Sequence, residues 1–428
     1  MKKILVLILA LVMSMLIFAC GNDSDEPDSE EDPYSELTIW GIMSHNLLDV
    51  LPEAVEFYRR DNPGVDFTVA RFDDIDARIA MHISAGTYDG LPDIMLLPNE
   101  TFVKTVMNFP GVFRDLTDSG IRFDEFTPAK TSLSVIDGRN FGFPLDVGVT
   151  ISVMRTDIIG AFGFTIDDFT SITWERFIEL GQEIPAATGM PMAASIAGSA
   201  DLISDMIKSA GVSMFSADGS PNIVGNAVLR QAVETYVMLV QTGVLIEVNS
   251  HEAYLNAFTN DGIVVGAIGE HKLLEYIRQS AAFDGLWAMT NIPRLDVPGG
   301  TNYSGFGGSS WAVSDNENYV QAIDFLKNTF GGNAELYDTL FADAGIIGAW
   351  APVADSPVFQ SMDPLFGGQR IVADLIRFSE NTPVFRYGNL HGEAMSAVGV
   401  AVTNILGGAD IDAELQAAQE FVQLQMQR

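Results

Sequence analysis

The chain has 428 residues, of which 57 are Asp or Glu and 23 are Lys or Arg, so its formal net charge is −34. Such a surface repels nucleic acids and anionic lipid headgroups, and both are excluded as principal binding partners. With 47% hydrophobic residues, the chain has ample material for a large packed core.

The first 19 residues are predicted to be a secretory signal peptide. Lys2 and Lys3 precede an apolar run from residue 4 to residue 19, and no stop-transfer pattern follows that run. A segment of this kind is removed from the mature protein and does not become a membrane span. Cys20 is the only cysteine in the chain and comes directly after the run. No internal disulfide and no cysteine metal site are therefore expected.

The end of this segment, residues 17–21 (IFACG), resembles the lipobox of bacterial lipoproteins. The resemblance implies that Cys20 becomes the first mature residue and carries acyl chains that anchor the protein to the cell membrane on its outer side. Phe18 departs from the small residue usual at its position. An ordinary cleaved signal with an incidental cysteine is the alternative.

The stretch from Cys20 to Glu36 is rich in acids and contains two prolines but no basic residue. It cannot bury apolar area and is expected to stay extended and solvated. A tether between a lipid anchor and a folded body is one interpretation, and a tail without a role is the other. Roughly 390 residues remain after it, enough for two or three domains or lobes at about 150 residues each.

Short β-branched runs then alternate with amphipathic stretches, a pattern that predicts an α/β fold with largely parallel sheets. The opening is predicted to be βαβαβ. Its predicted elements are a strand at 37–40, a helix at 47–62, a strand at 65–72, a helix at 76–85 and a strand at 93–97.

Several motifs along the chain, in order and spacing, resemble the extracellular solute-binding proteins of bacterial ABC importers, in the family that captures sugars. The first part of the chain carries NPGV at 62–65, LPDI at 91–94, DGRNFGFP at 137–144 and TWERF at 173–177. The second part carries a long helix at 226–242 that ends at Gly243, a turn and strand at 258–269, a Pro- and Gly-rich region at 292–314, APV at 351–353 and amphipathic helices at 393–427.

The resemblance implies two α/β lobes with a ligand cleft between them, a fold like that of type II periplasmic binding proteins such as maltose-binding protein. The chain is expected to cross between lobes near residues 144–148, 262–266 and 311–314. The lobe boundaries expected on this basis are residues 37–145 with 263–312 for the N-terminal lobe and residues 146–262 with 313–428 for the C-terminal lobe.

A neutral sugar needs carboxylates or amides for its hydroxyls and flat aromatic rings for its C–H faces. Side chains of these types follow strands or lie at the expected crossings, where the ligands of open sheets bind. The predicted ligand-binding residues are Trp40, His45, Asn46, Asn99, Glu100, Asp146, Glu270, His271, Trp311, Trp350 and Arg386.

Each of these residues also has a structural interpretation. The tryptophans can be core residues, the polar residues after strands can be helix caps, and Arg386 can belong to an ion pair. Trp174 and Trp287 are predicted to be packing residues. Many family members have a tryptophan shortly after the position of Gly269, whereas this chain has Glu270, His271 and Lys272, which leaves the stacking platform and the ligand open.

The sequence therefore predicts a monomeric capture protein that binds a carbohydrate and delivers it to the transmembrane subunits of an ABC permease, without a cofactor, a metal or catalysis. The same scaffold binding a polyamine or another small solute is one alternative. A surface glycoside hydrolase that uses two carboxylates is another. The five histidines show no metal-ligand spacing, which argues against a transition-metal site.

Overall fold

The computed structural model describes residues 36–42, 47–85, 90–146, 148–280, 283, 285–305 and 307–427. Up to residue 144 the elements are β1 (Glu36–Ile42), α1 (Leu47–Arg59), β2 (Asp66–Phe72), α2 (Ile75–Ser84), β3 (Ile94–Pro98), α3 (Asn99–Asn108), α4 (Pro128–Thr131), β4 (Val135–Ile136), β5 (Arg139–Asn140) and β6 (Gly142–Pro144).

The chain continues with eleven strands and helices up to residue 290. They are β7 (Thr150–Arg155), α5 (Thr156–Ala161), α6 (Trp174–Thr188), β8 (Ala193–Ile196), α7 (Asp201–Lys208), α8 (Ala227–Gln241), β9 (Leu245–Val248), α9 (His251–Phe258), β10 (Gly266–Glu270), α10 (Leu273–Ser280) and β11 (Trp287–Thr290). The last part comprises β12 (Ser309–Val313), α11 (Tyr319–Asn328), α12 (Ala334–Ala344), α13 (Ile371–Glu380), α14 (His391–Leu406) and α15 (Ile411–Gln425).

The first lobe is built on a five-stranded sheet with the strand order β2-β1-β3-β12-β6. β1 pairs in parallel with β2 and β3, whereas β12 is antiparallel to β3 and β6. The run of apolar residues in β3 has a simple cause, because successive side chains enter the apolar clusters on opposite faces of the sheet. Ile94 and Leu96 pack in the cluster that contains α1, and Met95 and Leu97 pack in the cluster that contains α2 and α3.

The second lobe contains a three-stranded antiparallel sheet, β10-β7-β11, and a parallel pair, β8-β9. The backbone N–H of Gly266 donates to the carbonyl of Met192, so β10 begins beside the start of β8. Gly266 also faces the carbonyl of Val153 in β7, and a Cβ at this position would overlap that oxygen. The close approach of the two strands therefore requires glycine.

The helix after the TWE motif begins and ends where the sequence chemistry predicts. The hydroxyl of Thr173 accepts a hydrogen bond from the backbone N–H of Arg176, which makes Thr173 the N-cap of α6. Gly189 ends the helix in the left-handed conformation, with φ 73°. Trp174 is fully buried and Trp287 is 1% exposed, so both predicted packing residues lie in the core.

The chain passes from the first lobe to the second at residues 145–149, between β6 and β7. The expected crossing at 262–266 is wrong, because residues 266–270 and 287–290 both pair with β7. The chain returns to the first lobe between β11 and β12, so the expected crossing at 311–314 lies inside a strand of the first sheet.

The expected lobe boundaries need the corresponding corrections. β10 and β11 belong to the second sheet, although residues 263–312 were expected in the N-terminal lobe. After β12, α11 packs on that strand and α12 packs on α1, so residues 319–344 belong to the first lobe and not to the C-terminal one. The helices α14 and α15 pack on each other, and α14 packs on α8 of the second lobe and also contacts α3 of the first.

Among the residues that the structure describes, no helix combines the length and apolar character that a membrane crossing requires.

Candidate functional site

The strand ends of the two lobes meet at the crossing segment, residues 145–149. In the first lobe, Pro144 at the end of β6 pairs with Ser310 in β12. In the second lobe, Glu270 at the end of β10 pairs with Thr150 at the start of β7. Since the crossing segment joins β6 to β7, the side chains that follow these strands border one region between the lobes. Ligands of open α/β sheets bind at such edges.

Two further contacts join the lobes away from the crossing. Nζ of Lys104 in α3 lies 2.9 Å from Oε1 of Glu393 in α14. Leu133, which follows α4, packs in one apolar cluster with Phe385 and Tyr387, which precede α14. The lobes are therefore in contact on the α3 side as well as at the crossing.

Asp146 and Lys130 form a shielded ion pair on the first-lobe side of the region. Oδ1 of Asp146 accepts a hydrogen bond of 2.7 Å from the backbone N–H of Ser309 and lies 3.6 Å from Nζ of Lys130. Only 6% of the Lys130 side chain is exposed. Burial lowers the pKa of Lys130, and the negative charge of Asp146 opposes that shift. The backbone at Gly308 passes close to this pair, and a side chain there would overlap Lys130 Nζ.

Asn99, a predicted ligand residue, is fully buried and uses its polar atoms inside the protein. Its side-chain Nδ2 donates to the carbonyl of Gly307 (3.2 Å), its backbone N–H donates to the carbonyl of Gly308 (3.0 Å), and its Oδ1 accepts from the hydroxyl of Ser310 (2.8 Å). Asn99 thus holds the segment that leads into β12, and its contribution to a binding site is through the position of that segment.

Glu270 lies where the two lobes meet. A Cβ at Gly307 would lie 3.0 Å from its Oε1, so the carboxylate lies beside the segment that Asn99 holds. Burial raises the pKa of the Glu270 carboxyl to about 7; Lys272 opposes the shift, and the negative charges of Asp146, Glu100 and Asp205 add to it.

His271 is adjacent and donates its backbone N–H to the carbonyl of Val149 in the crossing segment. Its Nδ1 is shielded from solvent and has no hydrogen-bond partner among the described residues. Burial lowers the pKa of His271 to about 4, so the imidazole is neutral near neutral pH.

The raised pKa of Glu270 makes stability depend on pH between about 4.5 and 7. In this window the folded protein holds a proton on Glu270 that the unfolded chain has released, so the free energy of unfolding falls as pH rises. Glu270→Gln removes this titration. We expect the variant to gain stability relative to the wild type by on the order of 3 kcal/mol across the window, measured by urea unfolding at a series of pH values.

The control for this experiment is Glu252→Gln, on the exposed surface of α9. As a substitution of an exposed side chain, it should change the free energy of unfolding by no more than about 0.5 kcal/mol. The titration of His271 occurs in wild type and variants alike and so drops out of the comparison. A Glu270→Gln difference that stays constant with pH would contradict the assignment of a raised pKa to this carboxyl.

A cavity of about 160 Å³ lies next to Glu270 in the second lobe. It is bordered by the ends of β8 and β10 and by α7, α9 and α10, the helices that follow β8, β9 and β10. Its polar and aromatic lining includes Ser195, Asp201, Asp205, His251, Tyr254, Glu270, Lys272 and Tyr276. Of these, the sequence analysis identified only Glu270.

Aromatic rings supply one side of this cavity. The ring of His251 lies 6.3 Å, between centroids, from each of the rings of Tyr254 and Tyr276. The hydroxyl of Tyr254 donates a hydrogen bond of 3.1 Å to the carbonyl of Ile268 in β10, which fixes the ring against the strand. The cavity therefore offers flat apolar faces together with carboxylates and a hydroxyl.

Asp205, at the base of the cavity, is almost fully buried and is paired. Its Oδ1 lies 3.3 Å from Nζ of Lys208 and accepts a hydrogen bond from the hydroxyl of Ser304. Burial raises the pKa of Asp205 to about 6, and Lys208 opposes the shift. Asp205 therefore borders the cavity with its charge compensated by Lys208.

Two of the three predicted aromatic contacts, Trp40 and Trp311, lie in the core of the first lobe. Trp40 packs against Phe72 and His82 in the first lobe. Trp311 is fully buried beside Phe330, and Trp350 is 7% exposed. The indole Nε1 of Trp350 donates to Oε2 of Glu125. The rings of Trp40 and Trp311 complete apolar clusters of the first lobe and are not free to cover a ligand. Trp350 comes two residues after Gly348, which pairs with Asp146, so its segment borders the region between the lobes.

The remaining predicted residues have different positions. Glu100, half-buried at the start of α3, is close enough to Glu270 to raise its pKa. Arg386 is exposed between two buried aromatic residues, and its backbone carbonyl accepts a hydrogen bond from Ser213. His45, Asn46 and Cys20 lie outside the described residues. Within the described part of the chain, no group of three or more His, Cys, Asp or Glu side chains is arranged to hold a metal ion.

A family model of bacterial extracellular solute-binding proteins matches residues 53–367. A lactose-binding protein from Rhizobium radiobacter is 32% identical to the chain over 395 residues, which are 92% of this chain and 93% of that protein. The family model and the lactose-binding protein both match most of the residues that the structure describes.

Solved structures with the same fold include a cyclic alpha-maltosyl-1,6-maltose binding protein from Arthrobacter globiformis, with a TM-score of 0.71, 18% identity and coverage of 91% of this chain and 98% of that one. The galacto-N-biose-/lacto-N-biose I-binding protein of an ABC transporter from Bifidobacterium longum has a TM-score of 0.70, 16% identity and coverage of 91% and 96%. These similarities establish the two-lobed α/β architecture.

Proposed function

The chain belongs to the family of bacterial extracellular solute-binding proteins, and from this membership we propose that it captures a small saccharide between its two lobes. The relative that is 32% identical is a lactose-binding protein, which supports a saccharide as the solute class. Membership of a solute-binding family also removes the alternative of a surface glycoside hydrolase.

The observation that carries the proposal is the cavity beside Glu270. Tyr254 and Tyr276 offer ring faces to the C–H surface of a sugar, while Asp201, Glu270 and Ser195 offer oxygens to its hydroxyls. The combination suits a molecule that is apolar on its ring faces and polar at its rim. Since the face of an aromatic ring also attracts cations, the preference for a saccharide over a polyamine rests on the lactose-binding relative.

Capture on this scaffold needs no chemical step. A solute that contacts the second-lobe cavity and the first-lobe segment at residues 307–309 gains both sets of contacts only when the lobes are together, so its binding shifts the population toward the closed form. Glu270, which borders the cavity and lies beside Gly307, is well placed to couple the two.

The closed form is proposed to dock on the transmembrane subunits of an ABC permease, as a monomer. The cleavage and lipidation motif at Cys20 supports attachment of the protein to the outer side of the cell membrane, with residues 1–19 removed as signal peptide and residues 20–36 serving as tether. Such a tether lets the folded body turn toward a permease in the same membrane.

The ligand class is tested by isothermal titration calorimetry of the mature protein with lactose, maltose, lacto-N-biose and spermidine. We expect saturable binding of one sugar molecule per chain, with affinity lost on heating through the unfolding transition, and a higher melting temperature in the presence of the sugar that binds. Spermidine is the control for the acidic surface. Binding of spermidine at one site with no response to any sugar would contradict the proposal and favour the polyamine alternative.

A further inference from the structure

A salt bridge joins the two lobes outside the cavity beside Glu270. Nζ of Lys104 lies 2.9 Å from Oε1 of Glu393. Lys104 is in α3, which packs in an apolar cluster of the first lobe, whereas Glu393 is in the first turn of α14, which packs in the main cluster of the second lobe. Neither side chain lines the cavity. The pair therefore forms only while the lobes are together.

An apolar contact between the lobes accompanies the salt bridge. Leu133, in a segment that packs on α3, shares an apolar cluster with Tyr387, and the ring of Tyr387 is 4.6 Å, between centroids, from that of His391 in α14. The lysine and glutamate side chains of the salt bridge are only 37% and 30% exposed. Their attraction is therefore stronger than that between two fully exposed groups.

The negative charge of both lobes opposes their approach. Each lobe has more Asp and Glu than Lys and Arg, and the formal net charge of the chain is −34, so closure brings like charges together. Lys104 is a cation of the first lobe that meets a carboxylate of the second, and the pair offsets part of this repulsion. Lys104 also interacts electrostatically with Asp76 in α2. Because the lysine keeps that neighbour when the lobes part, the stabilisation of the closed form is moderate.

A contact between the lobes changes the affinity for a solute that it does not touch. Binding shifts the population toward the closed form, so the observed affinity depends on the free-energy difference between the open and closed forms. A pair made only in the closed form lowers that difference by the same amount whichever solute is bound. A side chain that touches the solute, in contrast, changes the affinities of different solutes by different factors.

Resting on the proposed function, we propose that Lys104 and Glu393 are positioning residues that strengthen the binding of every solute by the same factor, without contact with the solute. The pair acts only through the closed form. Because salt screens a partly exposed ion pair, the affinity for an uncharged saccharide should fall with ionic strength relative to that of a variant without the pair.

The test is a double-mutant cycle on the affinities for lactose and maltose, measured by calorimetry on the wild type, Lys104→Met, Glu393→Gln and the double variant. Each single change should weaken the sugars that bind by about threefold, and the double change by no more than that, because either one breaks the pair. Lys104→Glu replaces the attraction by a repulsion of similar size and should weaken them by about tenfold. The difference between the wild type and the double variant should shrink from about 50 mM to about 500 mM sodium chloride.

The control is Arg114→Met, which removes the cation of a comparable pair inside the first lobe. Arg114 lies 2.8 Å from Asp315, and the two side chains are 38% and 45% exposed. This variant should bind sugars with the affinity of the wild type, since its pair is present in the open and the closed form alike. Glu393→Gln also removes a negative charge from the first turn of α14, which changes the stability of the folded chain but not the coupling between the two substitutions.

Three results would overturn the proposal. They are a double variant whose effect equals the product of the single effects, a factor that differs between two sugars, and an equal loss of affinity in Arg114→Met. If spermidine binds and no sugar does, the proposed function fails. The same variants measured with spermidine then decide on the pair, because Lys104→Met and Arg114→Met change the net charge equally.

Discussion

Replacing Asp146 by alanine is expected to lower the free energy of unfolding by about 3–5 kcal/mol, because the ammonium group of Lys130 is left buried without its counter-ion. The variant also removes the acceptor of the Ser309 N–H. Since burial already lowers the pKa of Lys130, the folded variant can release the lysine proton. The unfolded chain then binds more protons than the folded one, so the loss of stability should shrink between about pH 7 and about pH 10. Urea unfolding at both pH values measures this.

Two further variants serve as controls for Asp146→Ala. Asp66→Ala removes one partner of an exposed pair with Arg59, whose atoms are 3.0 Å apart and whose side chains are 82% and 43% exposed, and it should cost about 0–1 kcal/mol. Asp146→Asn keeps an acceptor for Ser309 and removes only the charge, so it should lie between the two. If Asp146→Ala is as harmless as Asp66→Ala, the buried pair does not stabilise the lobe boundary.

Changing Cys20 to alanine is expected to release the protein from the membrane fraction of its host cells. Acyl chains on Cys20 are the proposed anchor, and stable attachment takes more than one such chain. Because a changed cleavage site can leave the signal peptide in place, the mass of each mature chain is measured alongside its distribution. A second variant, in which a signal peptide without a lipobox replaces residues 1–20, should be wholly soluble outside the cytoplasm.

Metabolic labelling with an alkyne fatty acid provides the direct readout. The wild type should incorporate the label, and both variants should not. Membrane attachment that persists in the second variant would show that the anchor lies elsewhere in the protein or in a partner.

The local part of the fold was predictable from the sequence because it depends on short-range chemistry. The βαβαβ opening is confirmed, with each strand and helix within a few residues of its expected bounds. Thr173 and Gly189 bound α6 because a side-chain cap and a left-handed glycine act within one turn of the helix. Such signals need no knowledge of the neighbouring elements.

The assignment of strands to sheets was not predictable in the same way. Residues 266–270 and 309–313 both form short buried strands. Neither sequence indicates the strand with which it pairs. Pairing with β7 or with β3 is decided by the packing of the whole chain. The expected crossings after the first one were therefore placed too early or too late.

The candidate site, too, could be predicted only in part from the sequence. Asp146, Glu270 and His271 come together at the lobe boundary, as expected of polar residues that follow strands. Trp311, in contrast, stands in a strand, where sequence does not tell a core position from a ligand contact, and the structure places it in the core. Tyr276 was missed, although its position in the first turn of a helix directly after β10 was a usable signal.

A crystal structure of the mature protein grown with the disaccharide that binds in calorimetry would test capture between the lobes most directly. We expect electron density for one ring in the cavity beside Tyr254 and Tyr276, continuing past Glu270 to the first-lobe segment at residues 307–309. Density for the sugar only on an outer face of either lobe, with the region around Glu270 filled by water, would contradict the account.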